Sequence, residues 1–247
     1  MPLSQAEAAA KKKAEKDAEK AAKAAAAPAK KKSAEEEEDE LDANQYKERR
    51  QLFVKHLEQA GTTAYPHKFH VDTTLPSFHE QYASCPDGEK VAGASVAVAG
   101  RVLLARGQGK LRFYDLHADG VKIQVMTDPT AYTAGDEQAW LKVTDPIRRG
   151  DILGVKGTPG KSKKGELSIF PTEIVLLSPC LHMLPKGLGS LKDPEVRFRQ
   201  RYVDLIVTPS SRSVFETRAK IINYVRRFLD MRHFLEARRD AAIVMSS

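Results

Sequence analysis

The segment from Gly100 to Met126, GRVLLARGQGKLRFYDLHADGVKIQVM, alternates apolar and polar residues in three short runs separated by glycine-bearing turns. Alternation with period two buries one side of a strand and leaves the other free, so the stretch is committed to an antiparallel meander and cannot settle as helix. The strands are ASVAVAGRVLLAR, KLRFYDLHA and VKIQVMT, with turn signals at Gly107-Gln108-Gly109 and Asp119-Gly120. A helix over Asp136–Lys142 follows, then two more strands, DILGVKGTPG and ELSIFPTEIVLLS. Pro171 marks a bulge or an edge position in the last of these. Gly157–Lys161, GTPGK, reads as a hairpin turn, because it lacks the spacing of a phosphate-binding loop. Three strands, a helix and two strands is the order of a five-stranded Greek-key barrel of the OB type. An SH3-like or other small barrel remains an alternative on pattern alone.

The flanks divide the chain into four parts. Residues 1–43 form a Lys/Ala-rich and then acidic extension. Its first half consists of helix formers without an apolar stripe, which is marginal as an isolated helix. It reads either as a solvated tail or as a non-specific RNA-binding arm using Lys11, Lys12, Lys13, Lys16, Lys20 and Lys23. Residues 44–90 are a helical lead-in. Its first helix aligns Tyr46, Phe53 and Leu57, joined by Leu52 and Val54, on one face and stops at Gly61. An extended linker containing Pro66 and a short helix over Ser77–Ala83 come next. Residues 91–180 hold the barrel. In residues 181–247 an irregular linker leads to Pro194, which suits the first turn of one helix through RFRQRYVDLIV. A second helix, SVFETRAKIINYVRRFLDMRHFLE, carries an apolar stripe of Val214, Ile221, Ile222, Val225, Phe228 and Leu229. The last residues, ARRDAAIVMSS, follow no pattern.

A net charge of +7 favours a polyanionic partner. The two cysteines, Cys85 and Cys180, have no metal-site spacing and form no disulfide framework. His67, His70, His79 and His117 have no partners at metal-ligand spacing, so neither a metal site nor a catalytic set is expected. No apolar run reaches the ~18 residues of a membrane span, and the N-terminus resembles neither a signal nor a transit peptide. A cytoplasmic location is the expectation.

The meander offers the chemistry for an unpaired base. Phe113 and Tyr114 fall on opposite faces of the second strand, so one belongs to the core and the other is available for stacking. Gln124 offers both a donor and an acceptor. With Arg106 and Glu166 it could satisfy the edge of a uridine, where an N–H lies between two carbonyls.

YPHKFHVD, VAGRV, FYDLHADGVKIQVM, RRGDILGVKGTPGKSKKGELSI, LLSPCLHMLP and LKDPEVRFRQRYVDLI resemble, in order and spacing, the N-terminal portion of cytoplasmic eukaryotic lysyl-tRNA synthetases. The resemblance runs from about Asn44 to Glu236. It implies an OB-fold that binds the tRNA anticodon, with Phe113 stacking on the central uridine, Gln124 reading its edge, and Glu166 and Arg106 completing the site. It implies a basic arm that binds tRNA without sequence preference. It also implies that the helix from Val214 is the long helix of the first class II signature, giving a homodimer interface, and that the protein is a candidate member of a larger synthetase assembly. In the complete enzyme ATP and Mg²⁺ activate lysine for transfer to lysine tRNA. Here ARRDAAIVMSS replaces the expected continuation after Phe234-Leu235-Glu236, and His233 stands where the family has glycine. The motifs for ATP and lysine are absent from the sequence. The expectation is therefore an incomplete class II catalytic domain, truncated within its first signature. Such a chain would be limited to tRNA binding, with no catalytic residues and no cofactor of its own. A generic single-strand-binding OB module with a regulatory role is the alternative.

Overall fold

The computed structural model describes residues 41–108, 110–132, 136–185 and 191–236, with the backbone of 243–245. The six arm lysines and the Gly109 end of the first turn lie outside the described residues. Among the described residues no helix is long and apolar enough to cross a membrane.

Helix α1 (Ala43–Gln59) opens on a capping box. The Asp42 carboxylate accepts the Asn44 N–H, and the Gln45 side chain accepts the Asp42 N–H. Gly61 takes φ 73° just beyond its end, a conformation open to glycine at little cost. Helix α2 (Leu75–Tyr82) begins two residues earlier than the sequence suggests. The Thr74 hydroxyl caps it by accepting the Ser77 N–H, and Pro76 fits the first turn. Leu75 and Phe78 are thereby delivered into the barrel core, where both are buried.

Five strands close the barrel: β1 (Val96–Gln108), β2 (Leu111–Ala118), β3 (Val121–Thr127), β4 (Ile152–Lys161) and β5 (Leu167–Ser178), in the order β1-β2-β3-β5-β4. Strand β1 pairs with both β2 and β4. All pairings are antiparallel except β3 with β5. The expected OB-type barrel is therefore the observed one. Helix α3 (Glu137–Thr144), capped by Asp136, connects β3 to β4. It is pinned by Trp140, whose indole N–H donates to Thr127 Oγ1 at 2.9 Å. The inward positions Val98, Val102, Leu116, Ile123, Val125, Leu153, Val155 and Ile169 form the core. Asp119 and Gly120 both adopt positive φ, the two-residue turn whose twist matches an antiparallel hairpin.

Several sequence expectations need correction. GTPGK is not a hairpin turn. Pro159 and Gly160 lie inside β4 opposite Ile169 and Ser168, and the turn falls at Ser162–Gly165. Glycine is required at 160 because a Cβ there would stand 2.4 Å from the Glu89 carbonyl, where the chain at Lys90 pairs along the strand. The bulge predicted near Pro171 is present, since Lys156 pairs with Glu173 but Gly157 pairs with Pro171. Leu52 does not join the buried face of α1 and is 53% exposed; Arg50, one turn beyond Tyr46, takes that face instead.

The helix after Pro194 is two helices, α4 (Pro194–Arg199) and α5 (Arg201–Val207), broken at Gln200 with φ −112° and ψ 53°. The fully buried Asp204 carboxylate explains the break. It accepts Arg197 from before the break at 3.0 Å and Arg201 from after it at 2.8 Å. Helix α6 (Pro209–Asp230) starts four residues before the expected Ser213 and ends before FLE. Residues Phe234–Glu236 instead form β6, paired with β7 (Ile243–Met245) inside the stretch that showed no sequence pattern. His233, at φ 64°, makes the turn between helix and strand in the left-handed region that favours glycine. The apolar stripe of α6 is exposed at Val214, Ile221, Ile222, Val225 and Phe228.

Arg50 joins α1 to the barrel. Its guanidinium donates to Asp151 Oδ1 at 2.7 Å, to the Pro146 carbonyl at 2.8 Å and to the Cys180 carbonyl at 3.1 Å. Asp151 is fully buried and also accepts the N–H groups of Cys180 and Arg148. Burial pushes the Asp151 carboxyl above its ordinary range, with the Arg50 charge and the two N–H groups opposing that push.

Two predictions follow from these buried carboxylates. Arg50→Met strands the Asp151 charge, so the unfolding free energy from urea titration should fall by ~3–5 kcal/mol. Burial tends to raise the Asp204 carboxyl, but the hydrogen bond and charge of Arg197 are foremost among the contacts that outweigh it, and the carboxyl sits below its ordinary range. A depressed folded pKa stabilises above the unfolded value of ~3.9 and loses that contribution as pH falls through the folded one. The urea midpoint of Asp204→Asn should therefore lie below the parent's at pH 7, and the gap should close on acidification.

Candidate nucleic-acid interface

Alternation along β1, β2 and β3 sorts the meander into two faces. Tyr114 and Leu116 point inward and are buried, as do Ile123 and Val125. Register then sets the outward residues side by side: Arg106 opposite Phe113, Phe113 opposite Met126, Asp115 opposite Gln124 and His117 opposite Lys122. The sequence expectation that only one of Phe113 and Tyr114 is available holds. Tyr114 is 2% exposed and donates its hydroxyl to the Thr144 carbonyl at 3.2 Å, while Phe113 is half-buried on the outer face.

Gln124 is 5% exposed although it points outward, because β5 supplies a wall beside it through the parallel pair Gln124–Ser168. Glu166, just before β5, accepts the Gln124 Nε2–H at 2.5 Å. A carboxylate only accepts, so this contact decides which end of the amide is nitrogen. The second Nε2–H and Oε1 then form an adjacent donor and acceptor. Ser168 Oγ lies 3.2 Å from Gln124 Oε1 and 2.9 Å from the Glu166 carbonyl, with one proton to give.

The charged residues form a chain around this amide. Arg106 donates to Asp115 Oδ1 at 3.2 Å; Lys122 reaches Asp115 Oδ2 at 3.4 Å and Glu166 Oε1 at 3.8 Å. The structure thus gathers Phe113, Gln124, Glu166 and Arg106 on one face, with Arg106 linked to the amide through Asp115, Lys122 and Glu166 in turn. Sequence reasoning missed Asp115, Lys122 and Ser168. The alternation that selected Phe113 also selects Asp115 two residues on, and it was open to the same reading. Among the described residues no group of three or more His, Cys, Asp or Glu side chains could hold a metal.

A small barrel with an aromatic, an oriented amide and balanced charges on its meander face defines a nucleic-acid-binding OB domain. Residues 96–177 match the family described as OB-fold nucleic acid binding domain, and residues 193–239 match class II tRNA synthetases of the D, K and N type. The second match relates the C-terminal part of the described chain to the class II aminoacyl-tRNA synthetases. The chain is 44% identical over 203 residues to lysine–tRNA ligase cla4 of Cladosporium cladosporioides, covering 79% of this chain and 34% of that protein. It is 37% identical over 198 residues to the probable cytoplasmic lysine–tRNA ligase of Enterocytozoon bieneusi, covering 80% and 38%. It is 38% identical over 193 residues to the lysine–tRNA ligase of Parasynechococcus marenigrum, covering 78% and 38%. These relatives are all lysine–tRNA ligases, and the chain spans a little over a third of their length.

The two faces predict different consequences for neighbouring rings. Burial pushes the Tyr114 phenol up to about 12, with nearby Arg112 opposing. Ultraviolet titration should show a tyrosine that ionises only near that pH, and Tyr114→Phe should remove it while lowering stability by ~0.5–1.5 kcal/mol.

Proposed function

We propose that the outer face of the β1-β2-β3 meander reads the anticodon of a lysine tRNA, as the anticodon-binding part of a lysine–tRNA ligase. The observation that carries this reading is the Gln124 amide, fixed in orientation by Glu166 on the same face as the half-buried ring of Phe113. Phe113 stacks on the central uridine. The free Nε2–H of Gln124 donates to a uracil carbonyl and Oε1 accepts the adjacent ring N–H. Arg106, opposite Phe113 on the same face, is directed to the remaining carbonyl of the base. Lys11, Lys12, Lys13, Lys16, Lys20 and Lys23 supply attraction for any RNA.

The wider reading follows the relatives' names. In the whole enzyme lysine and ATP with Mg²⁺ form the activated amino acid for transfer to tRNA. No step of that reaction is assigned to the described residues. The helix spanning 213–231 serves a homodimer, assembly with other synthetases is a further role, and the location is cytoplasmic. The division at 1–43, 44–90, 91–180 and 181–247 separates arm, lead-in, reading head and the start of the catalytic part.

Phe113→Ala should weaken binding to a lysine anticodon stem-loop by ~1–3 kcal/mol, about five- to 150-fold, measured by fluorescence anisotropy. Deleting residues 4–27 should weaken every RNA and flatten the salt dependence instead. Equal losses on matched and mismatched stem-loops from Phe113→Ala would favour a generic single-strand module over anticodon reading.

A further inference from the structure

The carboxylate of Asp115 has no part in the reading above, yet it occupies the middle of the base-reading face. Its side chain is 9% exposed, on the strand face directed away from the core, opposite Gln124 across the β2–β3 pair. A carboxylate is costly to bury, and the meander could have carried an apolar residue there. Its oxygens meet two cations, Arg106 at 3.2 Å and Lys122 at 3.4 Å, each with close to half of its side chain exposed. Glu166 approaches the same lysine at 3.8 Å. Two cations and two carboxylates therefore surround Gln124, and the charges of these four balance. His117, the cross-strand partner of Lys122, adds no charge at neutral pH, because burial holds its imidazole below its ordinary range against the opposing Asp115 charge.

An uncompensated cation on such a face attracts phosphate from any RNA in any register. A uracil edge is uncharged and gains from oriented dipoles. Neutralising Arg106 and Lys122 where the base must sit therefore favours bases over backbone, and leaves sequence-independent attraction to other parts of the chain.

We infer that Asp115 is a specificity-determining positioning residue, which holds Arg106 and Lys122 neutralised so that the face selects a base edge and rejects the phosphate backbone. The role rests on the anticodon-reading proposal for its ligand, but not for its electrostatic signature. Asp115→Asn keeps the shape and the acceptor while removing the carboxylate that the two cations share, leaving Arg106 unpaired on this face and Lys122 with Glu166 alone. In the full chain it should bind mismatched anticodon stem-loops and oligoadenylate more tightly than the parent. It should lose severalfold discrimination for the lysine anticodon, and its log K against log salt should steepen by about 0.7 per freed cation. Adding Lys122→Gln to Asp115→Asn should return part of the extra slope, and less than half of it because Glu166 still faces the lysine. Circular dichroism and thermal melting establish that both variants are folded. An Asp115→Asn chain that is folded and has the parent's salt slope on oligoadenylate overturns the inference. The slope is measured on RNA without an anticodon, so it tests Asp115 separately. A parent that fails to discriminate stem-loops counts against anticodon reading instead.

Discussion

The buried carboxylate of Asp151 is the tie on which the described architecture depends. It stands at the entry to β4 and gathers the Arg50 guanidinium from α1, the Arg148 N–H from the loop after α3, and the Cys180 N–H from the chain leaving β5. Three segments far apart in sequence are thus fixed to one pair of oxygens. Arg50 repeats the pattern from its own side by donating to the carbonyls of Pro146 and Cys180. Nothing apolar would give the same directionality. A hydrophobic pair at these positions would bury area but would not dictate where the lead-in helix sits or where the chain exits the barrel. Asp204 has a similar role further on, drawing Arg197 and Arg201 onto one buried carboxylate across the kink at Gln200.

On the meander, the same chemistry is used half in water. Arg106, Asp115, Lys122 and Glu166 hold one another at longer distances than the Asp151 pair, and the cations remain partly exposed. Long, partly solvated contacts contribute little to stability but define which hydrogen-bonding groups point outward. The face is therefore organised with little cost to being rearranged. Only Gln124 is held closely, between Glu166 and Ser168, which fixes the order of its donor and acceptor.

Much of this was legible in the residues. Period-two alternation located β1, β2 and β3, separated Phe113 from Tyr114, and placed Gln124 on the outer face. The Asp119-Gly120 signal gave the hairpin its turn, and the Pro171 irregularity appears as a bulge. The glycine expected at 233 from family resemblance identifies a left-handed turn that His233 occupies. What escaped were features decided by distant partners. GTPGK carries turn residues, but Gly160 is there so that the backbone near Glu89 can come close, which no local window reveals. Arg50 interrupts an apolar face because its partner lies at Asp151, and Gln200 breaks a helix because Asp204 pulls on both sides of it. Asp115 looked like one surface charge among many until register put it opposite Gln124.

The barrel closes at β3 and β5, where only Gln124–Ser168 and Val125–Ile169 are in register. Every other seam is a longer antiparallel ladder. The side chain proposed to grip a ligand therefore sits on the shortest stitch of the cylinder. A ligand held there would bear on the Gln124 side chain that Glu166 and Ser168 tie across this seam. By mass action its binding energy adds to the closure of the barrel itself, so occupancy and the mechanical integrity of the cylinder are one coupled quantity.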